Sequence, residues 1–297
     1  MNPWAFQPHP EVWLLIASIV GLAVYAVRVI GPKVVRDGSP IVTRRQKAWF
    51  ALALLLMWGA ADWPVHDIGE RYLYFVHMLQ HLVFTMAVAP LFLLAMPTWL
   101  ARLIVGDGWF AGNVVRRLCR PVVAGVLFNA AFVFVHYPPT VNASATNGAL
   151  HFGLHLLIVS TALLMWMPVC GPLPELRLSL PAQMLYLFCQ SIVPTVPSAW
   201  LIFAERPVYR VYDTASRLGG ISAVSDQQAA GVIMKLGGGF FLWSVIFVIF
   251  FKWSARHQEA ERVGVLVSER DVLTWDEVQA ELNELERRGP APVEPTS

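Results

Sequence analysis

Residues Tyr72–Met96 read YLYFVHMLQHLVFTMAVAPLFLLAM. The run holds no Asp, Glu, Lys or Arg. A helix needs about 20 apolar residues to cross a bilayer core about 30 Å thick. With no water there, the backbone must satisfy its own hydrogen bonds, so this run is helical. Six further apolar segments are read on the same grounds: Val12–Ile30, Trp49–Trp63, Pro121–Tyr137, Ala149–Met167, Pro181–Phe203 and Ala229–Trp253. The expected fold is all-α, a polytopic integral membrane helical bundle of seven transmembrane helices. The second and fourth segments are short, and extension into their flanks is expected. Runs of this length without period-two alternation do not describe barrel strands.

Composition agrees. Of 297 residues, 56% are hydrophobic and 14% charged, where soluble chains carry about 25% charge. A formal net charge of +2 gives no basis for a nucleic-acid partner; the partner that composition demands is the lipid bilayer. Cytoplasmic loops are enriched in Lys and Arg. Arg28, Lys33, Arg36, Arg44, Arg45 and Lys47 fill the first loop, Arg102, Arg116, Arg117 and Arg120 the third, and Arg177 the fifth. The intervening loops are acidic or uncharged, apart from mixed charge after Phe203. The expected orientation is N-out/C-in. No Lys or Arg precedes Trp13, the reverse of a secretory signal, so the first helix is expected to stay in the membrane.

Residues 1–253 are read as the transmembrane domain and 254–297 as a charged cytoplasmic tail. In the tail, Thr274 and Glu277 form a capping-box pattern opening a short helix through Glu286. Pro290, Pro292 and Pro295 follow. Pro194 and Pro197 are expected to bend or break the sixth helix. Cys119 and Cys170 fall in inward loops and Cys189 in a helix, with no C-x-x-C pair, so no disulfide framework or thiolate site is expected.

Chemistry gathers in the histidines. His77 with His81, and His151 with His155, are H-x-x-x-H pairs near the outer starts of the third and fifth helices. Residues four apart share one helix face, so the two pairs can face each other with four imidazoles. His136 ends the fourth helix at the same side, and His66 lies in the outer loop before the third. Intramembrane polar groups face a bundle interior and mark function. Imidazole binds copper, zinc, iron and nickel, and thioether favours Cu(I). The candidate ligands are His77, His81, His136, His151, His155 and Met234. Asp226 stands before the seventh helix as a cap for it, an orienting group for a histidine, or a cation attractor. Asp62, Asp67 and Glu70 make the outer mouth acidic. No H-E-x-x-H, nucleotide-binding glycine loop or Ser–His–Asp set appears, and the chain is not read as an enzyme.

One ordered set of motifs carries a resemblance. H-M-L-Q-H at His77–His81 leads to A-P-L-F-L-L-A-M-P ending at Pro97. V-H-Y-P at Val135–Pro138 precedes H-F-G-L-H and M-W-M-P at Met165–Pro168, and D-Q-Q-A-A-G-V-I-M closes at Met234. The chain resembles the cytochrome c oxidase caa3-type assembly factor family, called CtaG in bacilli, from about Trp49 to Trp253. The resemblance implies a seven-helix protein of the bacterial inner membrane that assists assembly of a haem–copper oxidase, with copper supply or insertion commonly proposed. The implied partners are oxidase subunits or a periplasmic copper donor. In the family an aromatic often follows the last methionine. Here Lys235 stands there, a cation that weakens metal affinity locally or snorkels to the outer interface. Two alternatives stand beside a copper protein or chaperone. Paired histidines also ligate haem, and a scaffold would dock oxidase subunits without metal.

Overall fold

The computed structural model describes residues 4, 6–36, 38–106, 110–213, 218–271 and 275–288. The described residues are helical or loop, with no strand among them. Five helices are long and apolar enough to cross a membrane. They are α1 (Pro10–Val34), α4 (Tyr74–Ala95), α9 (Gly148–Cys170), a span Leu180–Ile202 and a last span Ala223–Val263. Two bent pairs raise the number to as many as seven if each is one span. One joins α2 (Arg44–Ala61) to α3 (Val65–Arg71) at 42°, the other joins α6 (Gly112–Leu118) to α7 (Pro121–Val135) at 77°. Between them, Thr98–Ile104 forms a short α5 and Pro138–Ser144 a short α8.

Several sequence expectations change in detail. The second segment starts at Arg44, before its apolar run, because Thr43 and Gln46 close a capping box over its first turn. The outer stretch read as an uncharged loop holds α8. His66 lies on α3, not in a loop. Cys170 is the last residue of α9. The sixth span does break: Leu180–Gln190 is α10, Thr195–Ile202 is α11, and Pro194 ends the turn between them. The tail helix, α13, runs Trp275–Arg288, past Glu286. The Thr274 half of its capping box, and Pro290, Pro292 and Pro295, lie outside the described residues.

The chain divides into two compact units, Met1–Ile249 and Phe250–Ser297. In the first, α4 is central: 56% of it is buried, against 11% of α1. Ala89 on α4 and Ala162 on α9 are fully buried, and such small residues let helices approach closely. Polar side chains then join helices to backbone. Trp166 Nε1 donates to the Thr85 carbonyl at 2.9 Å, and the Tyr186 hydroxyl to Met165 O at 3.0 Å. Hydrogen bonds of this kind contribute about 0.6–2 kcal/mol each in a membrane. Gly231 is required by contact: a Cβ there would stand 2.8 Å from the Ser198 carbonyl oxygen on α11. Apolar side chains such as Leu14, Val122, Val196, Phe203 and Phe240 point outward, a surface suited to lipid.

Among the described residues, three helical runs contain a π-helical turn: Ala26–Ile30 in α1, Val83–Val88 in α4 and Ile233–Gly237 in the last span, hereafter α12 (Ala223–Val263). Such turns hold one extra residue and often accompany functional sites.

Candidate metal centre

α4 and α9 lie side by side with their N-termini at one end of the bundle. The i, i+4 spacing puts His77 above His81 on α4, with ring centroids 4.5 Å apart, and His151 above His155 on α9, at 4.6 Å. The pairs face each other. His77 is 5.3 Å from both His151 and His155, and His81 is 4.6 Å from His155, centroid to centroid. One ring nitrogen from each of His77, His151 and His155 falls within 4.8 Å of the others. His155 Nε2 and His151 Nε2 share a hydrogen bond of 2.9 Å.

Burial gives this cluster its chemistry. His77 Nδ1, both nitrogens of His81, and His155 Nδ1 are buried with no hydrogen-bond partner. An unmatched buried polar atom costs about 1–3 kcal/mol, and the three rings that carry these four have centroids 4.5, 4.6 and 5.3 Å apart. Neutral imidazole nitrogens are the donors that borderline and soft metal ions prefer. The donor set therefore fits a metal ion.

His136 caps α7 at the same end. Its Nδ1 donates to Phe132 O at 2.6 Å, and its ring lies 6.0 Å from that of His81. Met234, in the π-helical turn of α12, is buried in a different cluster, with Tyr74 and Met78. One cavity is lined by His77, His81, His151 and His155, and a second by His81, His136 and Met234. The six candidates thus line two neighbouring cavities, and His81 borders both.

The scaffold behind them was partly hidden in the sequence. Asp226 is fully buried and does not cap its own helix, whose cap is Ser222. Instead its carboxylate accepts from the backbone N–H groups of Tyr74 and Phe75, at 2.8 and 2.9 Å, and so caps α4 across 152 residues. Beside it, Gln227 Oε1 accepts from Val208 N and Tyr209 N, and its Nε2 donates to Tyr209 O. The Tyr209 hydroxyl then donates to His136 O at 2.9 Å. Gln80 donates to the Ala60 carbonyl on α2 and meets His66 Nδ1 at 3.1 Å. The Lys235 Nζ donates to Thr195 Oγ1 at 2.6 Å.

At the mouth, His9 joins the assembly, which no sequence pattern signalled. Its Nε2 is 2.9 Å from Asp67 Oδ2, and its ring is 5.1 Å from that of His66. Burial opposes protonation of His9, but its hydrogen bonds and charge pairing with Asp67 and Glu11 outweigh this and raise its pKa above the ordinary 6.5. A raised histidine pKa contributes stability that is fully present below the unfolded value and is lost as pH rises through the folded one. His9→Ala is therefore expected to lower the melting temperature more at about pH 6 than at about pH 8.5. An equal loss at both would exclude the ion pair as its cause.

The model of the cytochrome c oxidase caa3 assembly factor family (Caa3_CtaG) matches residues 23–256. The chain belongs to this family. No curated protein and no solved structure matches it. The Caa3_CtaG region takes in the facing histidine pairs, His136, Asp226, Gln227 and Met234, and leaves His9 and most of the tail outside. Membership assigns the chain a role in cytochrome c oxidase assembly and agrees with its apolar helices. A Caa3_CtaG protein is an assembly factor by family.

Proposed function

We propose that the protein binds copper near the outer face of the bacterial inner membrane and assists metallation of a haem–copper oxidase, without catalysing a reaction itself. The observation that carries this is the group of His77, His151 and His155 between α4 and α9, whose ring nitrogens lie within 4.8 Å of one another and of which His77 and His155 each keep a buried Nδ1 with no hydrogen-bond partner. His77, His151 and His155 would hold the ion, with His81, His136 and Met234 behind them. Copper here is cargo. Glu70, which lines the cavity, suits loading of a cation from a periplasmic donor, and delivery to oxidase subunits follows. Both bent pairs are taken as spans, giving seven, with N-out/C-in set by the Lys and Arg distribution. Residues 254–297 are then a cytoplasmic tail available to partners.

The haem reading is less well supported. His77 packs against His151 and His155 at 5.3 Å, and a porphyrin between opposed axial imidazoles needs that space.

The test is metal analysis of detergent-purified protein by mass spectrometry with a visible spectrum, wild type against His77→Ala plus His151→Ala. Stoichiometric copper in the wild type, lost in the folded double variant and with no Soret band, is expected. A strong Soret band would move the assignment to haem. No bound metal after reconstitution with Cu(I) and Zn(II) would leave a scaffold.

A further inference from the structure

We infer that the protein holds two metal sites in series, and that the inner one is a thioether–imidazole site selective for a soft monovalent ion. The inference rests on the metal reading above and divides its ligand set in two.

The first observation is a mismatch. His136 Nδ1 faces only a carbonyl oxygen, Phe132 O, so in the neutral ring Nδ1 carries the proton and Nε2 is bare. That bare nitrogen faces the Met78 sulfur at 3.3 Å, and both atoms belong to buried residues. Two lone-pair donors on buried side chains are thus aimed at each other. A cation shared between them removes the conflict. With metal–nitrogen near 2.0 Å and metal–sulfur near 2.3 Å, neighbouring ligands on one tetrahedral ion lie about 3.5 Å apart.

The second observation is the company these atoms keep. His136 and Met78 line the second cavity together with His81, Met86 and Met234. Both nitrogens of His81 lack a protein partner, and its ring also borders the outer imidazole cluster, so one side chain serves both spaces. Met86 and Met234 each sit in a π-helical turn, on α4 and α12. Thioethers bind Cu(I) and its analogue Ag(I), whereas Zn(II) takes imidazole readily and thioether poorly.

The third observation is charge. Lys235 lines the same cavity, anchored to Thr195. Its ammonium repels a divalent ion twice as strongly as a monovalent one at equal distance. The outer cluster has no such neighbour among its lining residues and contains Glu70. The outer site accepts either valence; the inner one passes only the soft monovalent ion.

The experiment titrates purified protein with Ag(I) and separately with Zn(II), comparing wild type, Met78→Leu plus Met234→Leu, and His77→Ala plus His151→Ala. Methionine to leucine keeps volume and fold, checked by helicity and elution. Expected is about two Ag(I) but about one Zn(II) in the wild type. The methionine variant should lose one Ag(I) and keep its Zn(II). The histidine variant should lose Zn(II) and keep an Ag(I) with sulfur neighbours in X-ray absorption. A wild type that binds one Ag(I), unaffected by the methionine changes, overturns the inner site and leaves the outer reading standing. Binding of neither ion overturns both.

Discussion

Asp226→Ala is expected to melt far below the wild type and to lose metal loading together with the fold of α4. The carboxylate accepts from two backbone donors, buried Tyr74 N and half-buried Phe75 N, at the start of the helix that carries His77 and His81. Hydrogen bonds to a charged acceptor contribute about 1.5–3 kcal/mol each, so the pair represents about 3–6 kcal/mol. Whole-protein stability is only about 5–15 kcal/mol. Asp226→Asn keeps one acceptor oxygen but turns an amide NH2 towards a donor, and should fall between the two. Unfolding can be followed by the reaction of buried Cys119 with a thiol-reactive dye, in a background where exposed Cys189 is serine. A Tm for Asp226→Ala within a degree or two of the wild type would show that α4 begins securely without this cap.

Gln227→Leu should be nearly as damaging, for a different reason. Leucine matches the side chain in bulk, so no large cavity forms. It strands three partners at once, N and O of buried Tyr209 and N of half-buried Val208. At about 1–3 kcal/mol for each unmatched group, the loss is about 3 kcal/mol or more. The Val208–Tyr209 turn then drifts, and with it the Tyr209 hydroxyl that holds His136 O. Weakened Ag(I) affinity should accompany the lower Tm, while Zn(II) binding at the outer cluster changes less. A Tm loss with equal loss of both ions would mean that the whole bundle loosens and not that turn alone.

The contrast between these residues and the histidines marks what a sequence conveys. His77, His81, His151 and His155 were legible because a helix converts spacing of four into a shared face, and because loop charge independently put both pairs at one membrane side. The second segment was expected to extend into its flanks and does, but its start could not be placed because Arg44, Arg45 and Lys47 break the apolar window; the Thr43–Gln46 capping box sets it. Asp226 looked like a cap, correctly in kind, but its target lies 152 residues away. Which helix end a buried carboxylate serves depends on packing between helices, and no local pattern encodes it. The same holds for His9, whose partner Asp67 is 58 residues on, and for the division of six candidate ligands between two spaces.

The π-helical turns at Val83–Val88 and Ile233–Gly237 have a genetic consequence. Each residue advances a helix by about 100°, so one surplus residue resets the phase of everything beyond it. Deleting a single codon within Val83–Val88 would let α4 rewind as a regular helix. His77 and His81 would keep their azimuth while Pro90 and Leu93 swung away from theirs. The chain therefore has two places where one lost codon would uncouple the histidine-bearing end of the bundle from its packed other half.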